Sequence, residues 1–197
     1  SSYSSLSLNE VFKIHEWVDK GHEVAGHGLN HLSAVKISDS LGVDEYLNME
    51  IYPMLDLMEK DGFNVKSFAY PGGSNNKQTD EALLGIFGTL RGVGWSTNYS
   101  NAIRKSFFEG FPVVYSFGID EHKSYFAGLD YNQCILEALT YARDNNKILL
   151  VHGHETVETV TDEYQTSFAT LDMICNFIIE NNMKFYTLSE LKGMVNQ

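Results

Sequence analysis

Apolar residues recur along this chain at two spacings, one helical and one extended. Leu8, Val11, Phe12, Ile14, Trp17 and Val18 predict a helix over about Leu8 to Lys20. Ser7 and Glu10 in front of it have the capping-box spacing, and Gly21 is a suitable stop. After a polar linker, Leu47, Ile51, Met54, Leu55 and Met58 predict a second helix from about Val43 to Lys60, kinked or split at Pro53. A third runs from Thr79, read as its N-cap, to about Thr89. Two more cover about Asn132 to Asp144 and Tyr164 to Asn181. Between the helices, short apolar runs predict strands at Glu23–Gly26, Val65–Tyr70, Arg91–Ser96, Phe111–Tyr115, Lys147–Val151 and Lys184–Leu188. The run Lys147–Val151 is continuous, as expected of a strand buried on both faces. Ser1–Ser5 is a polar lead-in, and Ser100 to Gly128 has the weakest pattern. Alternating helix and strand predicts an α/β fold with a parallel sheet.

The length of 197 residues suits one domain, 1–197, with a sizeable core. A net charge of −12 argues against nucleic acid and anionic membrane surfaces as partners. No run of apolar residues is long enough for a membrane-spanning helix, and no signal peptide is present. The two cysteines, Cys134 and Cys175, lie in helical patterns and read as buried free thiols, with a disulfide left open. Oligomeric state is not legible.

Candidate chemistry falls just past the predicted strands. His27 and His31 follow the first, Tyr70-Pro71-Gly72-Gly73 follows the second, and His152 follows Lys147–Val151. Two imidazoles four residues apart share a side if their segment is helical. Imidazole suits zinc and related divalent metals, but catalytic zinc usually takes three protein ligands. On spacing alone, a polar loop with two unrelated histidines is the commoner outcome. In parallel α/β barrels, however, the C-terminal rim of the strands is where active sites sit. His154 is a lesser candidate at the same rim. His15 and His22 read as packing or structural residues, and Asp19, Asp39, Asp44, Asp120 and Asp130 as solvated or capping ones.

Taken together, these segments resemble the polysaccharide deacetylase family, or NodB-homology domain. Gly21-His22-Glu23-Val24 through His27-Gly28-Leu29-Asn30-His31 is similar to the family's GHE(I/V)…H(S/T)xxH segment. Phe68-Ala69-Tyr70-Pro71-Gly72-Gly73 is similar to its F(R/A)xPxG groove wall, and Leu150-Val151-His152 to its late LxH motif. The ending Phe185-Tyr186-Thr187-Leu188-Ser189-Glu190-Leu191 also matches. The resemblance implies a distorted (β/α) barrel that removes acetyl groups from an N-acetylated glycan with a divalent metal, zinc being the leading choice. It implies His27 and His31 as metal ligands and His152 as general acid. It makes Tyr70, Pro71 and Gly72 the substrate wall, with the Gly72 N–H as oxyanion donor; Trp95 reads either as a further residue lining that pocket or as a core tryptophan. It also implies a place outside the cytoplasm.

The family's Thr-Phe-Asp-Asp-Gly motif has no counterpart here. That motif supplies a metal-binding Asp and the base Asp, and only 26 residues precede His27. The expectation is therefore a domain whose first strands are missing at the N-terminal end. The third ligand and the base are unassigned. Gly28 stands where the family has Ser or Thr, and Arg91-Gly92-Val93-Gly94-Trp95 stands in place of an Asp-containing motif. The alternatives are a catalytically inactive carbohydrate-binding member of the same fold, and a related hydrolase of another amide or an acetyl ester.

Overall fold

The computed structural model describes residues 6–96 and 98–195, so the lead-in Ser1–Ser5 lies outside the described residues. The chain is α/β, with a parallel four-stranded sheet in the strand order β1-β2-β3-β4: β1 is Ser67–Ala69, β2 Thr89–Val93, β3 Val113–Gly118 and β4 Val151–His152. It divides into two compact units. One holds the chain up to Gly92, with Gly110–Val113 and the segment from Tyr186; the other holds Val93–Glu109 and Val114–Phe185.

In the first unit, α1 is Leu8–Asp19, and its capping box forms as the sequence predicts. Glu10 accepts from the Ser7 amide at 2.7 Å, and those bonds hold its carboxyl below the usual range. The predicted linker contains a helix, α2 (Ala34–Leu41), capped by Ser33 and stopped at Gly42. The predicted helix over Val43–Lys60 is three pieces. These are α3 (Val43–Tyr46), a π-helical turn (Leu47–Ile51) and α4 (Tyr52–Lys60), with Pro53 in the first turn of α4. Proline has no N–H for the ladder and its ring crowds the preceding turn, so the helix widens there rather than breaking.

Ladder hydrogen bonds set the strands. Ser67, Phe68 and Ala69 of β1 pair with Thr89, Leu90 and Arg91 of β2. The predicted strand Glu23–Gly26 reduces to a single bridge: the Gly26 amide bonds the Ser67 carbonyl at 2.9 Å, and its carbonyl takes the Ala69 amide at 2.8 Å. Gly26 passes so close to the core that a Cβ there would lie 2.7 Å from Met54 Cε and 2.9 Å from Phe68. Upstream of it, the Glu23 carboxylate takes the Ser67 hydroxyl at 2.7 Å and the Ser189 amide at 3.0 Å. Helix α5 is Lys77–Leu84; its cap is Asn76 rather than Thr79, which is buried in the first turn. The helix stops early enough that Thr89, predicted to end it, opens β2 instead. Phe68, Tyr70, Met54, Ile51, Leu83 and Leu90 fill the core.

In the second unit, α6 (Tyr99–Arg104) and α7 (Tyr131–Asp144) flank β3, and β4 pairs with it through Phe117↔Val151 and Gly118↔His152. The run Lys147–Val151 is not one strand. Ile148 and Leu150 bond Phe108 and Ser106, and Val151 is exposed rather than covered on both faces. Strands β5 (Glu155–Val157) and β6 (Gln165–Ser167) form a parallel pair that the sequence pattern did not predict. Helix α8 therefore begins at Phe168, capped by Ser167, and not at Tyr164. Cys134 and Cys175 are free; Cys134 is buried as expected, whereas Cys175 is exposed on the outer side of α8.

The predicted last strand, Lys184–Leu188, is absent among the described residues. Phe185 and Tyr186 are exposed, and Thr187 with Glu190 forms a capping box that opens the short helix α9 (Leu188–Leu191). A Thr-x-x-Glu spacing in the sequence already encoded that helix start.

Candidate functional site

The first unit brings His27 and His31 together. The segment is a loop, not a helix, turned by left-handed backbone at Gly28 (φ 80°) and His31 (φ 61°). The two rings meet edge-on, with centroids 4.9 Å apart at 74°. His27 Nδ1 lies 2.7 Å from the Ala69 carbonyl oxygen. A carbonyl only accepts, so Nδ1 carries the proton and Nε2 presents its lone pair. This is the arrangement that orients a metal-ligating histidine. Burial of the ring lowers the His27 pKa, the Ala69 carbonyl opposes that, and Arg91 and His31 lower it further. The net downward shift favours the neutral imidazole, the form in which histidine can bind a metal.

Among the described residues, no group of three or more His, Cys, Asp or Glu side chains is placed to hold a metal ion. Imidazole is a donor type that zinc takes, and the His27 tautomer leaves its Nε2 lone pair available.

The proline motif lies past β1 in the same unit. Tyr70 is fully buried and its hydroxyl donates to Asp80 at 2.7 Å, so its side chain is not open to solvent. Burial, and then the bond to Asp80, push the Tyr70 phenol far up. Pro71 is buried as well, whereas Gly72 is exposed at φ 59° on a single 3-10 turn.

The second unit holds the other two predicted residues. Trp95 is 67% exposed, which excludes a core role. His152 Nδ1 is 2.9 Å from the hydroxyl of the buried Ser116. Its Nε2 faces Gly118, where a Cβ would lie 3.2 Å away.

Sequence reasoning missed a dyad beside His152. Asp120, read from sequence as solvated or capping, is completely buried. It accepts from the His154 amide at 3.0 Å, from His154 Nδ1 at 2.8 Å and from the Thr166 hydroxyl at 3.3 Å. Lys123 Nζ is 3.5 Å away and sits 3.9 Å above the Tyr164 ring. The His154 ring packs edge-on against Tyr164 (5.1 Å) and His152 (5.8 Å), and its side chain is half exposed. Asp120 therefore orients an imidazole whose outer edge is open to solvent. The available signal was the His-Gly-His spacing, because alternate residues of an extended segment share a face.

A second missed residue is Glu50, buried in the first unit and bonded to the loop that carries His31. Its position three past Leu47 and four before Met54 puts a carboxylate on the apolar face of the helix, a signal the sequence contained. No family model, curated protein or solved structure matches this chain.

Proposed function

We propose that this protein is a metal-dependent deacetylase of N-acetylated glycans, with a distorted (β/α) barrel of the polysaccharide deacetylase type and a place of action outside the cytoplasm. The observation that carries the reading is the paired His27 and His31 rings, with His27 locked into a ligand-ready tautomer by Ala69. Zinc held there would polarise the amide carbonyl and lower the pKa of a bound water. His27 and His31 would hold the ion. Gly72, exposed on its turn, offers a backbone N–H to the oxyanion. Hydrolysis breaks the amide C–N bond, gives acetate, and leaves an amine nitrogen that needs a proton. His152 is the group the motif resemblance assigns to that transfer, and His154, held by Asp120, is a second imidazole next to it.

A second reading, a carbohydrate-binding member without activity, is favoured by one observation: the exposed indole of Trp95, a flat apolar face suited to a sugar ring. Acetate release from N-acetylglucosamine oligomers separates the two. The deacetylase reading expects release that a chelator stops and added zinc restores. Binding of the oligomers with no acetate released would overturn it in favour of the binding module. Among the described residues, no helix is long and apolar enough to cross a membrane.

A further inference from the structure

We propose that Glu50 is the positioning residue of the histidine pair, and that Gly28 is glycine because it must admit the Glu50 carboxylate; the inference rests on the metal reading above. Glu50 has no solvent exposure and lies on the π-helical turn Leu47–Ile51. Its carboxylate reaches both sides of His31. Oε2 accepts from the Asn30 amide at 3.0 Å and the Leu32 amide at 3.2 Å, and Oε1 accepts from Asn30 Nδ2 at 2.9 Å. The Glu50 backbone carbonyl takes the Leu29 amide at 3.1 Å. One residue thus ties Leu29, Asn30 and Leu32, and His31 is clamped between its bonds.

The clamp answers a specific need. His31 has φ 61°, a left-handed conformation that a non-glycine residue holds only when its surroundings impose it. Amides on either side of it converge on one carboxylate, which fixes that turn and with it the direction of the ring. An acceptor-only group is required, because every contact is a donor aimed inward. A burial without these bonds would be costly for a carboxylate, and the converging N–H dipoles offset it.

Gly28 completes the device. A Cβ there would lie 2.7 Å from Glu50 Oε2, and its φ of 80° disfavours any side chain. A hydroxyl side chain at position 28 and a carboxylate from position 50 therefore compete for one space. In this chain the loop is held by Glu50 across the helix and not by a neighbour within the loop. The π-turn that precedes Pro53 is what carries Glu50 to that position, in keeping with the frequent placement of such turns at functional sites.

The test uses the whole 197-residue chain and compares the native protein with Glu50→Gln. Two quantities are read: zinc affinity by chelator competition, and amide hydrogen exchange in the metal-free protein. Loss of a group that orients a metal ligand typically weakens binding by about 10- to 100-fold. The expected result is a fall in zinc affinity of that size, with faster exchange at Asn30 and Leu32 and unchanged exchange in β1. Protection of β1 distinguishes positioning from general unfolding. If Glu50→Gln does not fold, Glu50→Asp, shorter by one methylene, is read the same way. Zinc binding by the native chain with equal affinity in the variant would overturn the role of Glu50 alone. No zinc binding by the native chain would instead overturn the metal reading on which it rests.

Discussion

Phe68→Ala is expected to destabilise the protein by about 4 kcal/mol, near the middle of the range for removing a buried phenylalanine. Phe68 has no solvent exposure and stands at the centre of β1. Its ring stacks on Phe87 (5.3 Å) and meets Tyr70 edge-on (5.4 Å). The cavity left behind cannot close cheaply. Gly26 approaches from one side as backbone fixed by two ladder bonds, and Phe87, on another, loses its stacking partner. The next residue, Ala69, supplies the carbonyl that sets the His27 tautomer, so slack in β1 reaches the histidine pair. Urea unfolding of the two proteins measures the cost. A loss under about 1 kcal/mol would mean that the core re-forms around the smaller residue.

The second large effect is expected at Asp120→Ala, at about 3 kcal/mol. Removing the carboxylate takes the acceptor from the His154 amide and ring, leaves the buried Thr166 hydroxyl with only the Ile119 carbonyl at 3.2 Å, and leaves Lys123 without its counter-charge. The Lys123 share is the smaller, since that ammonium can turn toward solvent and the Tyr164 ring. Asp120→Asn keeps the shape and one acceptor oxygen, and so is expected to cost less than half as much. Equal losses in the two variants would assign the effect to packing and not to the hydrogen-bond set. The same comparison reports on His154, because only the carboxylate accepts from both its amide and its ring.

What the sequence shows well is what local rules decide. Ser7 and Glu10 frame α1 because capping is a matter of three residues. The period of Ile135, Leu139 and their neighbours likewise gives α7, and the alternation of elements gives a parallel α/β sheet. The errors fall where tertiary contacts choose. Lys147–Val151 is apolar enough for a full strand, but Ser106 and Phe108 take its backbone and leave two residues for the ladder with β3. Lys184–Leu188 has strand-like side chains, but Thr187 and Glu190 start a helix within it.

The candidate site divides in the same way. His27 and His31 stand out by residue type, yet their pairing depends on a left-handed turn that no i, i+4 rule describes. Asp120 and Glu50 look like ordinary surface acids until their burial is seen. Burial of a charge is a property of the assembled core, and only the apolar neighbours of Glu50 hinted at it. Tyr70 misleads in the opposite sense: the motif suggests a substrate contact, and the fold spends its hydroxyl on Asp80.

The central claim is that His27 and His31 hold a metal. Zinc content of the purified 197-residue chain, measured beside His27→Ala, tests it most directly. About one zinc per chain, lost in the variant, is the predicted result. A native chain without zinc, or a His27→Ala protein that keeps it, would contradict the assignment.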